Sequence, residues 1–463
     1  MKLKKNIHFE ISERKILLRV FDVLSVLLVL YVFWKFTSFE YFSFVSWNIV
    51  PGIVLALYLN VLGTIFDMYN LQTASNQLQV IKSIVLTAST TVLFYLLTPK
   101  FTPLLPPNRL QIVYFFAAVL LGLILWRVFY QKFIASHRFM KKVILICDTG
   151  NSSKLISDLQ LADPHYKVQA VCYLNHLEGA YPEPGQLVLP LQHLNDYIDQ
   201  NHISDIVIAA QDTNAITPSV YSDLLQLLER GFSIKEYSQV YESITNRIPI
   251  QQMGADFYRY FPFGRSNQNQ LYLMLVRLSE IIFSVIGLLV GLAILPLVLI
   301  GNLLGNRGPL FYTQTRVGKN GIPFEIYKYR TMIKNAESGG VLFATPGDVR
   351  ITPFGKFLRK TRIDEVPQFI NILKGDMGFI GPRPERPFFV KELAAVMPFY
   401  ETRHVIKPGL TGWAQVNYSY GETLEESLIK LQYDLYYIKH RSVFLDLNII
   451  IKTFSTVLFY RGQ

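Results

Sequence analysis

The sequence predicts a protein of membrane α-helical plus α/β class, and three observations carry that expectation. Of its 463 residues 51% are hydrophobic and only 17% charged, too apolar a balance for an ordinary soluble domain. Apolar runs close to the ~20 residues that cross a bilayer as a helix crowd the N-terminal third. Farther along, short β-branched runs alternate with helical patterns, the signature of α/β units. The formal net charge of +11 suits the anionic inner face of a membrane or small anionic substrates. Nucleic acid is not expected as a partner, because the basic residues form no dense arms. Cys147 and Cys172 sit in strand-like runs and read as buried thiols, with no disulfide framework or metal site. The first apolar run is long and lacks a small-residue cleavage site, unlike a signal peptide.

In chain order, residues 1–15 form a basic segment predicted to be cytosolic. Four runs follow, at Ile16–Phe36, Val45–Phe66, Val80–Thr98 and Leu110–Tyr130, giving a four-helix transmembrane bundle over 16–131. MKLKKNIHFEISERK holds five Lys/Arg, RVFYQKFIASHRFMKK is also basic, and the first outer loop TSFEYFSFVS has none. Both ends of the bundle are therefore expected inside, although the inner loop near Asp67–Gln79 is not basic. Residues 141–262 read as a Rossmann-like cytosolic domain, with KKVILICD, KVQAVCYLN and SDIVIAAQ as strands. The turn Cys147-Asp148-Thr149-Gly150-Asn151 lacks the G-x-G-x-x-G pattern that cradles a pyrophosphate. A structural or regulatory role is expected there.

Ile281–Ile300 is a fifth apolar run of 20 residues, long enough to cross. Pro296 lies inside it and removes a helix hydrogen bond. Hydropathy alone favours a plain fifth span. A kinked helix that enters the inner leaflet and returns, over about 279–301, is the alternative. It keeps the polar tail beyond Leu303 on the same side.

From Gly305 to Arg386 there are fourteen Lys/Arg against seven Asp/Glu. GPRPERP fixes Arg383 between prolines, KYRTM presents Lys328 and Arg330, and RHVIKPG presents Arg403 and Lys407. Guanidinium forks match phosphate oxygens, although a solvated basic face facing lipid headgroups would read the same way. Just after Arg359, Lys360 and Arg362 comes the adjacent pair Asp364 and Glu365. Helix capping explains such a pair, with Asp364 near an N-cap, Glu365 in the first turn and Pro367 early in the helix. Two carboxylates at a helix start also reach one Mg²⁺, which one or two acids and substrate phosphates commonly hold. A carboxylate can also attack phosphorus directly.

GPLFYTQTRVGKNGIPFEIYKYRTM, RITPFGKFLRKTRIDEVPQFINILKGDMGFIGPRPERP, RHVIKPGLTGWAQVNY and YDLYYIKHRSVFLDLNIIIKT occur in this order. Together they resemble the bacterial polyprenyl-phosphate glycosyl-1-phosphate transferases, the initiating sugar transferases of exopolysaccharide and capsule synthesis. The resemblance covers about Leu273–Gly462. Four spans and a degenerate Rossmann-like domain ahead of it resemble the family's large form, the undecaprenyl-phosphate glucose phosphotransferase type.

The resemblance implies a monotopic catalytic domain over 271–463 with a re-entrant helix. The domain would lie on the cytoplasmic face of a bacterial inner membrane, as part of a multi-pass protein. It implies transfer of a sugar 1-phosphate from a UDP-sugar to undecaprenyl phosphate with loss of UMP. Asp364 would then be the nucleophile that carries a covalent phosphosugar, and Glu365 would hold or orient Mg²⁺ with it. Arg359 and Arg383 would bind phosphate, with Lys328, Arg330, Arg403 and Lys407 as further anion-binding candidates. The helix-breaking proline falls on Pro296, although Leu295 stands where the family often has a small residue. The bundle or the central domain could mediate a homodimer. A glycosyltransferase releasing UDP would need a paired acidic metal motif in an α/β donor domain, which is not seen. A membrane dehydratase would need the missing glycine turn. A scaffold that has lost activity would not need Asp364, Glu365, Arg359 and Arg383.

Overall fold

The structure is a computed structural model. It describes residues 11–44, 49–66, 68–69, 77–134, 141–148, 152–163, 166–174, 186–201, 203–210, 216–252, 269–334, 336, 348–418 and 423–458. The chain divides into two compact units, Met1–Thr245 and Asn246–Gln463.

The first unit opens with four helices, α1 (Ile11–Phe36), α2 (Val50–Ile65), α3 (Gln77–Leu96) and α4 (Leu110–Phe129). Their shared core holds Leu18, Leu30, Leu55, Leu59, Tyr95, Phe115 and Leu123. α1 and α4 meet closely enough for the Ser25 hydroxyl to donate to the Gly122 carbonyl at 2.7 Å. Among the described residues, Glu13–Phe36 and Leu110–Phe133 are long and apolar enough to cross, and Val50–Ile65 and Val80–Leu96 are shorter apolar stretches of the second and third helices. The third helix long and apolar enough lies in the second unit, at Gln270–Asn306.

Four parallel strands follow, β1 (Lys141–Cys147), β2 (Tyr166–Tyr173), β3 (Asp205–Ala209) and β4 (Ser233–Glu236), in the order β2-β1-β3-β4. Helices α5 (Ser152–Ala162), α6 (Leu194–Asn201) and α7 (Pro218–Glu229) make the crossovers, and α8 (Tyr237–Thr245) closes the unit. Val143 to Cys147 of the central strand are fully buried, as expected for a parallel strand covered on both faces. Of the turn singled out after β1, Thr149 to Asn151 lie outside the described residues. Much of the inner loop near Asp67–Gln79 does too. At the start of α5 the Ser152 hydroxyl meets the Tyr173 hydroxyl at 2.8 Å.

The second unit is led by α9 (Gln270–Gly301), which continues as a π turn over Asn302–Asn306. The helix runs on through Pro296, so the break expected there is not a break in the helix. The proline forfeits one bond, to the Leu292 carbonyl, and the ladder resumes beyond it. Next come the antiparallel hairpin β5 (Phe311–Val317) and β6 (Pro323–Tyr329), then α10 (Pro353–Thr361), α11 (Gln368–Lys374) and β7 (Gly378–Ile380). α12 (Pro387–Val396), β8 (Gly409–Thr411), α13 (Trp413–Asn417), α14 (Leu424–His440) and α15 (Val443–Leu458) complete it. Ile248 and Ile250, which the sequence reading assigned to the α/β domain, lie in this unit's core with Trp413, Leu435 and Ile438.

α9 carries its partners along one face. A Cβ at Gly291 would stand 2.6 Å from the Val366 side chain, and one at Gly301 2.2 Å from the Phe354 ring. Both distances are too short for any residue with a side chain, so glycine sets the close approach. Its N-terminal end is tied by the Tyr272 hydroxyl, which donates to Asp446, and by Arg277, which donates to the Ile372 and Leu373 carbonyls at 2.7 and 2.6 Å.

Candidate active site

The acidic pair sits in a turn between two short helices. Thr352 caps α10, its hydroxyl accepting from the Gly355 amide at 2.9 Å, with Pro353 in the first turn. α10 ends at Arg362, whose left-handed backbone (φ 57°) is unusual for a side chain of this size. That residue turns the chain into a 3₁₀ segment, Ile363–Glu365. α11 then starts behind Pro367 and ends at Gly375, also left-handed. The N-cap of the 3₁₀ segment is Arg362 and that of α11 is Pro367, so neither acid occupies an N-cap position, and both lie in the first turn of the 3₁₀ segment.

Asp364 is only 7% exposed, and its Oδ1 is buried without a hydrogen-bond partner. Glu365 faces three cations through one oxygen. Lys328 Nζ, Arg362 Nη1 and Arg383 Nη2 each lie 3.6 Å from Oε1. Lys328 arrives on β6, where it pairs with Tyr312 across the hairpin. The hairpin is held by Asn371, fully buried on α11, which donates to the Glu325 carbonyl at 2.7 Å and accepts from the Tyr327 amide at 3.1 Å. Arg359 lies one turn before the pair, its Nε donating to the Thr331 hydroxyl at 2.9 Å.

The electrostatics separate the two acids. Burial, and then the Glu365 charge, push Asp364 up to about 6. Burial opposes ionisation of Glu365 as well, but Lys328, Arg383 and Arg362 outweigh it and hold that carboxyl at about 2. The Lys328 ammonium is lowered, by burial first, although Glu365 supports it. Neighbouring groups with divergent affinities for protons mark candidate functional sites.

The other predicted anion binders divide. Arg359, Arg383 and Lys328 gather at the acidic pair. Arg330 does not present its guanidinium there: Nε donates to the Pro309 carbonyl and Nη2 to the Asn306 carbonyl, each at 2.9 Å. Arg403 is buried too, donating to the Tyr400 hydroxyl at 2.8 Å, the Asp434 carboxylate at 2.7 Å and the Arg383 carbonyl at 3.0 Å. Lys407 lies by Gly375, in the field of Glu280, Arg277, Lys319 and Asp376. Pro296 lies on α9 beside Leu295, which packs against Val298, Leu358 and Val366. Sequence reading did not single out Asn371. Nor did it give Arg362 a role of its own, although its spacing of three from Glu365 would have placed the two side chains together.

Two comparisons bear on this geometry. The family model described as "Bacterial sugar transferase" matches residues 271–460. A Bacillus subtilis (strain 168) protein, provisionally named an undecaprenyl-phosphate N-acetylgalactosaminyl 1-phosphate transferase, is 45% identical over 161 residues, 35% of this chain and 86% of that protein. The chain belongs to the bacterial sugar transferase family. This bacterial sugar transferase is also 41% identical over 222 residues to the UDP-N-acetylgalactosamine-undecaprenyl-phosphate N-acetylgalactosaminephosphotransferase of Aeromonas hydrophila. That match spans 48% of this chain and only 51% of the relative. Likeness reaches farther upstream in the "Galactosyl transferase CpsE" of Streptococcus agalactiae serotype III (strain NEM316), 29% identical over 351 residues, 72% of this chain and 70% of that one. The matched family segment contains every residue of the acidic pair and its cations.

No cluster of three or more His, Cys, Asp or Glu able to hold a metal occurs among the described residues. Two carboxylates are nevertheless enough for Mg²⁺ when a substrate supplies phosphate oxygens. The unpartnered Asp364 Oδ1 beside Glu365 fits that mode.

Proposed function

We propose that this bacterial sugar transferase moves a sugar 1-phosphate from a UDP-sugar to undecaprenyl phosphate, as the first membrane step of exopolysaccharide or capsule assembly. The observation that carries the reading is the buried Asp364 carboxylate, unpartnered at Oδ1 and flanked by Glu365 and its three cations. An Asp364 oxygen attacks the sugar-bearing phosphorus and the bond to the bridging oxygen breaks. UMP leaves with that electron pair. An oxygen of undecaprenyl phosphate then attacks the aspartyl phosphate, and Asp364 is regenerated as a carboxylate. Lys328, Arg362 and Arg383 offset the diphosphate charge that would otherwise be repelled by two acids. Mg²⁺, held by Asp364 and Glu365, would add charge compensation when bound. The Aeromonas relative is named for N-acetylgalactosamine and the Streptococcus relative for galactosyl transfer, so likeness does not fix the sugar.

One contact supports the membrane setting of this reading. Val366, next to Glu365, packs on α9 at Gly291, midway along the apolar run. Were α9 upright across the bilayer, the acids and cations would lie near its centre, where each costs several kcal/mol. A shallow, re-entrant α9 puts the same site at the headgroup plane of the cytoplasmic face, where the acceptor phosphate lies. The parallel α/β unit is assigned a Rossmann-like, non-catalytic role, and a homodimer through either upstream part is part of this reading. Glu401→Cys, on an exposed turn, should resist a membrane-impermeant thiol reagent in intact cells. Labelling there would place the domain outside and sink the re-entrant arrangement.

The deciding assay combines purified protein, Mg²⁺, undecaprenyl phosphate and a panel of UDP-sugars, with the nucleotide product identified. UMP release that is lost with chelation supports phosphosugar transfer. UDP release instead means that the sugar alone is moved, and removes the covalent role of Asp364.

A further inference from the structure

The acidic pair and its cations account for one phosphate, but a nucleoside diphosphate sugar carries two. The second lies one bridging oxygen away, on the side opposite the attacking carboxylate, and gathers charge as the nucleotide departs. Arg383 stands where a second phosphate would begin. Its Nη2 faces Glu365 at 3.6 Å and its side chain is 41% exposed.

Two more cations, Arg316 and Lys430, belong to the neighbourhood of Arg383. Arg316, on β5, donates from Nη1 to the Pro384 carbonyl at 3.1 Å and pairs with Glu385 at 3.6 Å. Both contacts are to the two residues that follow Arg383. Helix α14 reaches the same loop. Asp434 on that helix takes Arg403 at 2.7 Å, and Arg403 in turn holds the Arg383 carbonyl at 3.0 Å. Lys430 precedes Asp434 by one turn, so the two side chains share a helix face. The Lys430 ammonium lies in the field of Glu385, Arg383, Glu426 and Arg403, and its affinity for the proton is lowered, by burial first. Helix α14 thus meets the Arg383 loop through Asp434 and Arg403, and carries Lys430 on the same face as Asp434.

We propose that Lys430, with Arg383 and Arg316, binds the nucleoside-monophosphate half of the donor, so that Arg383 bridges the two phosphates. This rests on the transfer reading above and deepens it. One cation shared by two phosphates keeps the diphosphate extended, and Lys430 meets the charge that develops on the leaving nucleotide. Glu385 opposes the cations and keeps the pocket from holding its product too firmly.

The test reads binding apart from turnover. Full-length protein is titrated with UMP and its thermal unfolding followed. Wild-type protein should be stabilised, Lys430→Met should need about tenfold more UMP for the same shift, and Lys430→Arg should recover most of it. Equal unfolding midpoints without nucleotide show that both variants fold. In turnover, Lys430→Met should raise the KM for the UDP-sugar and leave that for undecaprenyl phosphate unchanged. An unchanged UMP titration, a wild type that UMP does not stabilise, or a rise confined to the acceptor KM would overturn the pocket. Release of UDP in the product assay sinks the transfer reading alone, because nucleotide binding is measured without catalysis.

Discussion

Each unit of this protein buries carboxylates beside arginines, but with opposite geometry. In the first unit Asp22 on α1 is fully buried and accepts from Arg127 Nη2 on α4 at 2.7 Å. Arg19 and Arg127 flank the Tyr69 ring at 4.8 and 5.7 Å. One acid meets one guanidinium at hydrogen-bond distance, across 105 residues of sequence. In the second unit, one Glu365 oxygen faces three cations that all stop at 3.6 Å, beyond a normal hydrogen bond. Asp364 beside it leaves an oxygen unpartnered. The first arrangement joins two helices by one direct contact, with Asp22 Oδ1 and Arg127 Nε also buried without partners. The second gathers three cations around one carboxylate next to a buried acid raised to about 6, a combination that suits a ligand rather than the fold.

Removing an acid from each centre breaks the comparison most sharply. Asp364→Asn should lower nucleotide release by ~10³-fold or more, because an amide is no nucleophile toward phosphorus. Its unfolding midpoint should hold or rise, since a buried, unpaired charge has been removed. Asp22→Ala should do the reverse. It strands Arg127 in the bundle, at a cost of about 3–5 kcal/mol, while transfer per folded molecule stays near wild type. Thermal unfolding and single-turnover UMP release, measured on both variants, check this. A stable Asp22→Ala would mean that its pair is not a clamp. An active Asp364→Asn would remove the covalent step.

How far these centres could be read from sequence differed. The bundle's four helices were legible as apolar runs. The Asp22–Arg127 pair gave no sequence signal, because its partners are far apart in the chain. The acidic pair and Arg359 were legible through motif order within a short stretch. Motif reading set Arg383 beside Arg359 as a phosphate binder but kept Arg330 and Arg403 as further candidates. Arg383, Arg330 and Arg403 all lie in turn-rich segments, and only the folded chain shows which guanidinium is spent on backbone carbonyls. Pro296 was legible as a lost helix hydrogen bond, and the helix continues on both sides of it.

The pH dependence sharpens the comparison at intermediate size. Asp364 must be ionised to attack, and its carboxyl is raised to about 6. Single-turnover rates should therefore fall about tenfold per pH unit below that value. Glu365, at about 2, stays charged throughout this range. Lys328 favours the Asp364 carboxylate, so Lys328→Met should move the acid limb to higher pH. Stability should follow the opposite course from activity. A folded carboxyl raised above its ordinary 3.8 takes up its proton before the unfolded one. The fold thus gains from Asp364 as pH falls from 7 toward 4. An acid limb unaltered by Lys328→Met would detach the limb from Asp364.

The smallest effect tests the comparison inside one unit. Arg403 and Arg383 are linked, since the first donates to the carbonyl of the second at 3.0 Å, yet only Arg383 faces the acids. Burial opposes the Arg403 charge, while Tyr400 and Asp434 support it and raise its proton affinity above the ordinary arginine value. Arg403→Lys keeps a cation for Asp434, but one ammonium on a shorter reach cannot also serve the Tyr400 hydroxyl and the Arg383 carbonyl. The expected cost is about 1–2 kcal/mol, a fall of a few degrees in Tm, with a loss in turnover below tenfold. Arg383→Lys, on the exposed side of the same link, should leave Tm within a degree or so and cost more in donor KM, because a bidentate phosphate contact is lost. If Arg403→Lys proved the more damaging to KM, phosphate would be bound by the buried guanidinium. The division between arginines that hold the loop and arginines that hold the ligand would then have to be redrawn.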